Sequence, residues 1–296
     1  SDLLHIPIPG EGYYSVDNGP VVGSEADPVI YYTDDNIIYS WDLEGEAVPI
    51  AELTNPVENS YCHINLIRPS CDGTKLLLEV WRYYKDKKAP DEYLAYLWDS
   101  DDGKLREIAT LPSDYVESGF SNDHSLLWDR TGTRWSCETE RGVCVYDVEG
   151  TLICFIPLLS DNYTIEGIDF PPEQNVLLVQ YGTASEETVL AKYSLKDGKL
   201  IGSIDIEQFG SNVGEYRWNY PDEDTLMLTA NAGTAEINIS DSMLGLCAWI
   251  KNAPGYDSKT ERFYTAEDVS NGTEIGYFQR YKVGELVEMG NHMNGK

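Results

Sequence analysis

Trp98-Asp99-Ser100-Asp101-Asp102-Gly103-Lys104-Leu105 decides how the rest of the chain reads. Alone it has the opening of a calcium loop, with carboxylates ahead of a glycine. An EF-hand loop also requires a Glu at position twelve and helices on either side. Position twelve is Thr110, and the flanks read as strands. The stretch also recurs. Trp41-Asp42-Leu43-Glu44-Gly45, Tyr146-Asp147-Val148-Glu149-Gly150-Thr151-Leu152 and Tyr193-Ser194-Leu195-Lys196-Asp197-Gly198-Lys199-Leu200 share its form. Each is an aromatic, then Asp or Ser, a short polar turn, a Gly and a return to apolar residues. A unit that recurs is architecture, so Asp99 to Leu105 reads as the outer hairpin turn of a repeated sheet.

The repetition extends along the chain. Leu76-Leu77-Leu78, Leu126-Leu127-Trp128, Val176-Leu177-Leu178-Val179 and Leu226-Met227-Leu228 stand 50 residues apart. Each follows a turn-rich stretch, such as Ser70-Cys71-Asp72-Gly73 or Pro221-Asp222-Glu223-Asp224. Val29-Ile30-Tyr31-Tyr32 precedes the first run, and Ile275-Gly276-Tyr277-Phe278 continues the spacing. Within one period the elements are short strands: Thr164 to Phe170, Asn175 to Tyr181, Thr188 to Tyr193 and Leu200 to Ile206. Four antiparallel strands at this period are the signature of propeller blades. The expectation is one all-β domain over residues 1–296, a six-bladed β-propeller of four-stranded antiparallel blades. The blades fall at about 18–53, 61–112, 114–160, 162–209, 214–253 and 259–290. The last lacks a fourth strand, and Leu3 to Pro9 is expected to close it. An edge strand tolerates Pro7 and Pro9, and closure protects an open sheet edge.

Ser70-Cys71-Asp72-Gly73-Thr74-Lys75-Leu76-Leu77 and Phe120-Ser121-Asn122-Asp123-His124-Ser125-Leu126-Leu127 resemble the F-S-x-D-G-x-x-L turn of the WD40-like repeats in TolB-type six-bladed propellers. The Asp99 to Leu105 turn is similar to the outer hairpin of those blades. Phe170-Pro171-Pro172-Glu173 and Tyr220-Pro221-Asp222-Glu223 depart from the pattern. The resemblance implies a fold and carries over no catalytic residue, because these motifs are structural in the family.

Charge is the strongest compositional signal. Asp and Glu number 51 against 21 Lys and Arg, a formal net charge of −30. Such a surface repels nucleic-acid phosphates and anionic headgroups, so nucleic acid is excluded as a partner. No run of 18 apolar residues offers a membrane span, and no charged-then-apolar signal opens the chain. The expected setting is secreted or cell-surface, as a monomer. The six cysteines form no C-x-x-C motif, and no cofactor is expected. Cys137 and Cys144 flank Thr139-Glu140-Arg141-Gly142, a hairpin loop that sets them opposite each other. They read either as a disulfide or as two buried thiols.

No G-x-S-x-G elbow, H-E-x-x-H or phosphate loop is present, and the four His are scattered. Glu117, Glu166 and Glu215 are 49 residues apart, as paired glycosidase carboxylates on successive inner strands could be. They lie three, four and five residues before Phe120, Phe170 and Tyr220, which turns neighbours to opposite faces. The remaining oddity is Trp81-Arg82-Tyr83-Tyr84-Lys85-Asp86-Lys87-Lys88-Ala89-Pro90-Asp91, a basic and aromatic loop in an acidic chain. Asp129-Arg130-Thr131-Gly132-Thr133-Arg134 is expected beside it. Arg82, Tyr84, Lys87, Arg130 and Arg134 are the candidate ligand-binding residues, for a protein, a peptide, a glycan or an anion. Two functions stay open: a non-enzymatic binding module, or a carbohydrate-active enzyme with carboxylates at the central channel.

Overall fold

The computed structural model describes residues 21–22, 29–34, 36–42, 46–85, 90–116, 125–172, 174–183, 188–206, 217–230, 233–240, 244–251, 255–257 and 262–264. They are all-β and divide into two units, Ser1–Phe155 and Ile156–Lys296.

The first unit holds three four-stranded sheets. Sheet one is β1 (Val21–Val22), β2 (Ile30–Asp34), β3 (Ile37–Trp41) and β4 (Val48–Glu52). Sheet two is β5 (Ser60–Pro69), β6 (Lys75–Tyr84), β7 (Glu92–Asp99) and β8 (Lys104–Thr110). Sheet three is β9 (Leu126–Trp128), β10 (Arg134–Thr139), β11 (Gly142–Asp147) and β12 (Leu152–Pro157), with the unit boundary inside β12. The second unit holds sheet four, β13 (Thr164–Asp169), β14 (Val176–Gly182), β15 (Thr188–Ser194) and β16 (Leu200–Asp205). Sheet five follows, β17 (Arg217–Asp222), β18 (Thr225–Ala230), β19 (Gly233–Asn238) and β20 (Gly245–Lys251). A two-stranded piece, β21 (Gly255–Asp257) and β22 (Arg262–Tyr264), completes it. In every sheet the strands lie side by side in chain order and pair antiparallel.

The unbroken apolar runs explain the stacking. A strand buried on both faces has no polar alternate positions. Leu76, Leu78 and Val80 join Tyr31, Ile38 and Leu53 of sheet one in a core. Leu77, on the opposite face of the same strand, joins Trp128, Trp135, Cys137 and Tyr146 of sheet three. Sheet two is thus sandwiched between its sequence neighbours. In the second unit Leu178, Leu190 and Ile206 of sheet four meet Leu226, Leu228, Ala235 and Ile237 of sheet five. Face-to-face stacking of consecutive four-stranded sheets is the packing of propeller blades.

One part of the repeat is corrected. Leu126-Leu127-Trp128 is not the second strand of its sheet but the first, paired among the described residues only with β10. The counterpart of Leu76 is Trp135: Leu76 pairs with Trp98, and Trp135 pairs with Tyr146 in the same place. The matching turns are Ser70-Cys71-Asp72-Gly73-Thr74 and Asp129-Arg130-Thr131-Gly132-Thr133, 59 residues apart. Both are closed by one backbone bond, Ser70 N to Lys75 O and Asp129 N to Arg134 O. The long connection after β8 puts the first strand where a 50-residue period expects the second. Leu3 to Pro9 and all of 265–290 lie outside the described residues, as does any closure they make.

Candidate functional site

The site begins with a difference in length. β5 and β6 are ten residues each, whereas β10, β13 and β14, which are bounded by described residues at both ends, are six or seven. Their shared end, Ser60–Ile64 against Val80–Tyr84, continues past the turn of the neighbouring sheets. Period-two alternation then sorts the side chains. Tyr61 pairs with Tyr83, His63 with Trp81, and Trp81 with Tyr93 across the next strand. Directly opposed side chains on one face are close enough to touch. The Tyr61 and Tyr83 rings stack at 5.1 Å, and Trp81 lies 5.0 Å from Tyr83. The result is a ladder of three rings. Tyr61, at its tip, is 46% exposed, so the ladder is surface rather than core. Lys85 continues the same alternation, and its Nζ sits 3.9 Å from the Tyr61 ring centroid.

The backbone beneath the ladder is fixed. Lys85 N donates to Asn59 O at 2.9 Å, and Asn59 takes a left-handed φ of 60°. Asn tolerates that region better than most residues. Asn55 clamps the same connection: its Nδ2 donates to Ser60 O at 2.8 Å, and its Oδ1 accepts from Val57 N at 3.2 Å.

Behind the rings lies a polar floor. Glu79 is fully buried on the ladder's face of β6. Its carboxylate accepts from Asn65 Nδ2 at 3.0 Å and from Tyr115 Oη at 2.6 Å. Asn65 is the extra residue of a bulge between Ile64 and Leu66, which aims it at Glu79. Tyr115 also lies 5.4 Å from Tyr93, so floor and rings are contiguous. Burial, and then the Glu79 charge, push the Tyr115 phenol far up, so it stays a donor. Sheet four repeats the device with the partners exchanged. Glu166 is the bulge residue between Ile165 and Gly167, and Gln180 Nε2 donates to it at 2.9 Å. Aligned by register, the same place in the second strand is Thr33, Glu79, Glu138, Gln180 and Thr229. A polar side chain at this position is a property of the repeat. Glu117 and Glu215 lie outside the described residues.

The predicted residues fall in two places. Arg82 is on the opposite face of β6 from the ladder and is buried. Its guanidinium reaches Glu107 at 2.9 Å and Glu92 at 3.4 Å. Burial opposes its charge, but hydrogen bonds to Cys62 and Glu107 win and hold it more firmly protonated than a free arginine. Tyr96 shares Glu107, at 3.0 Å; burial and then that charge push its phenol up to about 12. Tyr84 Oη donates to Glu92 at 2.9 Å, which raises its pKa. Lys87 lies outside the described residues. Arg130 and Arg134 belong to the turn between β9 and β10, at the other end of the sheets. That turn abuts the 70–74 turn: a Cβ on Gly132 would stand 3.3 Å from Ser70 Cβ. Trp128 Nε1 holds the same end, donating to Arg68 O at 2.9 Å. The expected proximity of the two basic stretches is therefore corrected. One joins the second and third strands, the other the first and second, and antiparallel connections of those two kinds leave a sheet at opposite ends. Arg134 Nε donates to Asp129 at 3.0 Å and closes its own turn.

Tyr61 and His63 were missed, and Trp81, Tyr83 and Lys85 stood in the singled-out stretch but outside the five candidates. Their signal was present as alternation along two strands, but it shows only once the strands are paired in register.

Cys137 and Cys144 are register partners, and both are buried thiols. Hydrogen bonding from Cys137 brings the Cys144 thiol down to about 7, while the same contact and burial drive Cys137 up.

No family model matches the chain, and no curated protein matches it. Solved structures do. A Mitotic Checkpoint Complex structure shares 15% identity, with a TM-score of 0.40 over 86% of this chain and 90% of that one. The β-propeller domain of the Trilobed protease from Pyrococcus furiosus shares 10%, with a TM-score of 0.40 over 64% and 58%. The periplasmic gluconolactonase of Pseudomonas aeruginosa shares 11%, with a TM-score of 0.46 over 78% and 69%.

Proposed function

We propose that this chain is a non-enzymatic binding module of β-propeller type, taking a protein, peptide or glycan ligand on the aromatic end of sheet two. The observation that carries the reading is the ladder Tyr61–Tyr83–Trp81, with Tyr61 46% exposed at its tip. Aromatic faces on a rigid edge give large contact area at low entropic cost. Of the residues expected to bind, Arg82 and Tyr84 brace the ladder from behind through Glu92 and Glu107. Lys87, outside the described residues, stays a candidate on its charge and its place in the sequence alone. Arg130 and Arg134 stand apart at the far end and contribute nothing to it.

The alternative, a carbohydrate-active enzyme, needs two carboxylates about 5–9 Å apart that reach the substrate. Glu79 is fully buried beneath the rings and engaged by two donors, which favours binding over hydrolysis. A six-bladed ring closed by the N-terminal strand, a monomer and an extracytoplasmic setting belong to the same proposal. Support comes from the stacked four-stranded sheets for the ring and from the charge of −30 for a dispersed, unassociated particle. Cell fractionation and sedimentation test the last two.

Peptide and glycan arrays probed with the parent and with Tyr61→Ala test the site. The expected result is binding by the parent, lost in Tyr61→Ala and unchanged in Arg134→Glu. Equal binding by the parent and Tyr61→Ala overturns the assignment.

A further inference from the structure

We infer that the ladder's natural ligand is a lysine side chain on a partner polypeptide, and that Lys85 occupies its place in the free protein. The inference rests on the binding reading above and names what is bound. A lysine ammonium is already seated there: Lys85 Nζ lies 3.9 Å from the Tyr61 ring centroid, the geometry of a cation–π contact. The ring that receives it is half exposed and backed by a second ring at 5.1 Å. Polarisable faces attract cations, so an incoming ammonium competes for the same surface.

Charge decides between a cationic and an anionic partner. The basic look of residues 81–88 suggested an anion, but the guanidinium of Arg82 is turned to the other face and held by Glu107 and Glu92. Among the described residues, two exposed acids stand at this end of sheet two. Glu58 precedes Asn59, whose carbonyl receives Lys85 N, and Asp91 accepts from Tyr84 N at 3.3 Å; both carboxylates belong to exposed residues. The net charge of −30 draws a basic segment toward the whole surface. Glu79, the buried carboxylate below, is matched by Asn65 and Tyr115 and needs no ligand charge. A partner segment would approach this end, place a lysine on the Tyr61 face and displace Lys85 into solvent.

This predicts an inverted response: removing a lysine strengthens binding of a lysine. The probe is a glycine-flanked peptide with one lysine, set against the same peptide acetylated on that lysine, at about 0.15 M salt where long-range attraction is screened. The readout is the dissociation constant together with the ring-current shift of the peptide's ε-methylene protons. Lys85→Ala is expected to tighten the lysine peptide about three- to tenfold. Lys104→Ala, which removes the same charge from the exposed start of β8, is expected to leave it unchanged. Tyr61→Leu keeps apolar contact with Tyr83 but removes the π face, and abolishes the shift. If lysine and acetyl-lysine peptides bind Lys85→Ala equally and Tyr61→Ala loses both, the binding face stands and the cation assignment is overturned. Lysine-peptide binding that survives in Tyr61→Leu overturns the site itself. Absence of binding to Lys85→Ala while the arrays yield an uncharged ligand also overturns the inference.

Discussion

At the scale of residues, four positions carry distinct physics. Gly150 has φ of +84°, and an added Cβ would run into the backbone carbonyl of Ile108. Gly103 has φ of +65° and open space around it. Gly150→Ala is therefore expected to cost well above the roughly 1 kcal/mol of left-handed strain that Gly103→Ala costs, read as midpoints of urea unfolding. Tyr115→Phe strips one donor from the buried Glu79 carboxylate and is expected to cost about 1.5–3 kcal/mol in the same assay. Asp129 supplies a pH signature. Burial opposes its charge, but hydrogen bonds from Arg134, Thr131 and the backbone hold its carboxyl below the usual carboxylate range. A depressed folded pKa contributes stability at pH above the ordinary carboxylate value, and that stability is lost as the pH falls through the folded value. Asp129→Asn is expected to flatten the acid limb of a stability-against-pH curve. An equally steep limb would mean that the turn is not held by that charge.

At the scale of elements, the two sides of the repeat behave differently. The hairpin of β10 and β11 sets Cys137 against Cys144, with Cys144 the readier thiolate. We propose that the pair closes to a disulfide under mild oxidation. Cys144 attacks oxidised glutathione and releases one glutathione, and Cys137 then displaces the second. Mass spectrometry should show one intramolecular bond blocked by Cys137→Ser; a stable mixed disulfide in the parent would speak against closure. The sequence told most where local rules act alone. Gly103 and Gly198 sit at φ of 65° and 69° in the outer turns that begin with Asp or Ser and end in Gly-Lys-Leu. The triple leucine at 76–78 marked a strand, and the structure buries that strand on both sides. The same local view misled at 126–128, because a long connection can imitate a period. It also grouped Arg82 with Tyr83 as neighbours, although alternation sends them to opposite faces. The ladder needed Tyr61 paired with Tyr83, 22 residues on, which spacing along one strand does not encode.

At the scale of the whole molecule, the charge of −30 and the stacked sheets act together. A particle with this much negative charge repels its own copies and attracts basic segments, and salt weakens both effects. If the sheets close into a six-bladed ring through Leu3 to Pro9, deleting residues 1–10 should lower the melting temperature; an unchanged melting curve would count against that closure. The binding face needs only the first unit, since every residue of the ladder and its floor lies between Tyr61 and Tyr115. Hydrogen exchange with and without the ligand recovered from the arrays tests that placement most directly. Protection is expected at 60–64, 80–85 and 92–93, with the 70–74 and 129–133 turns unchanged. Protection centred on those two turns, with the ladder unaffected, would contradict it.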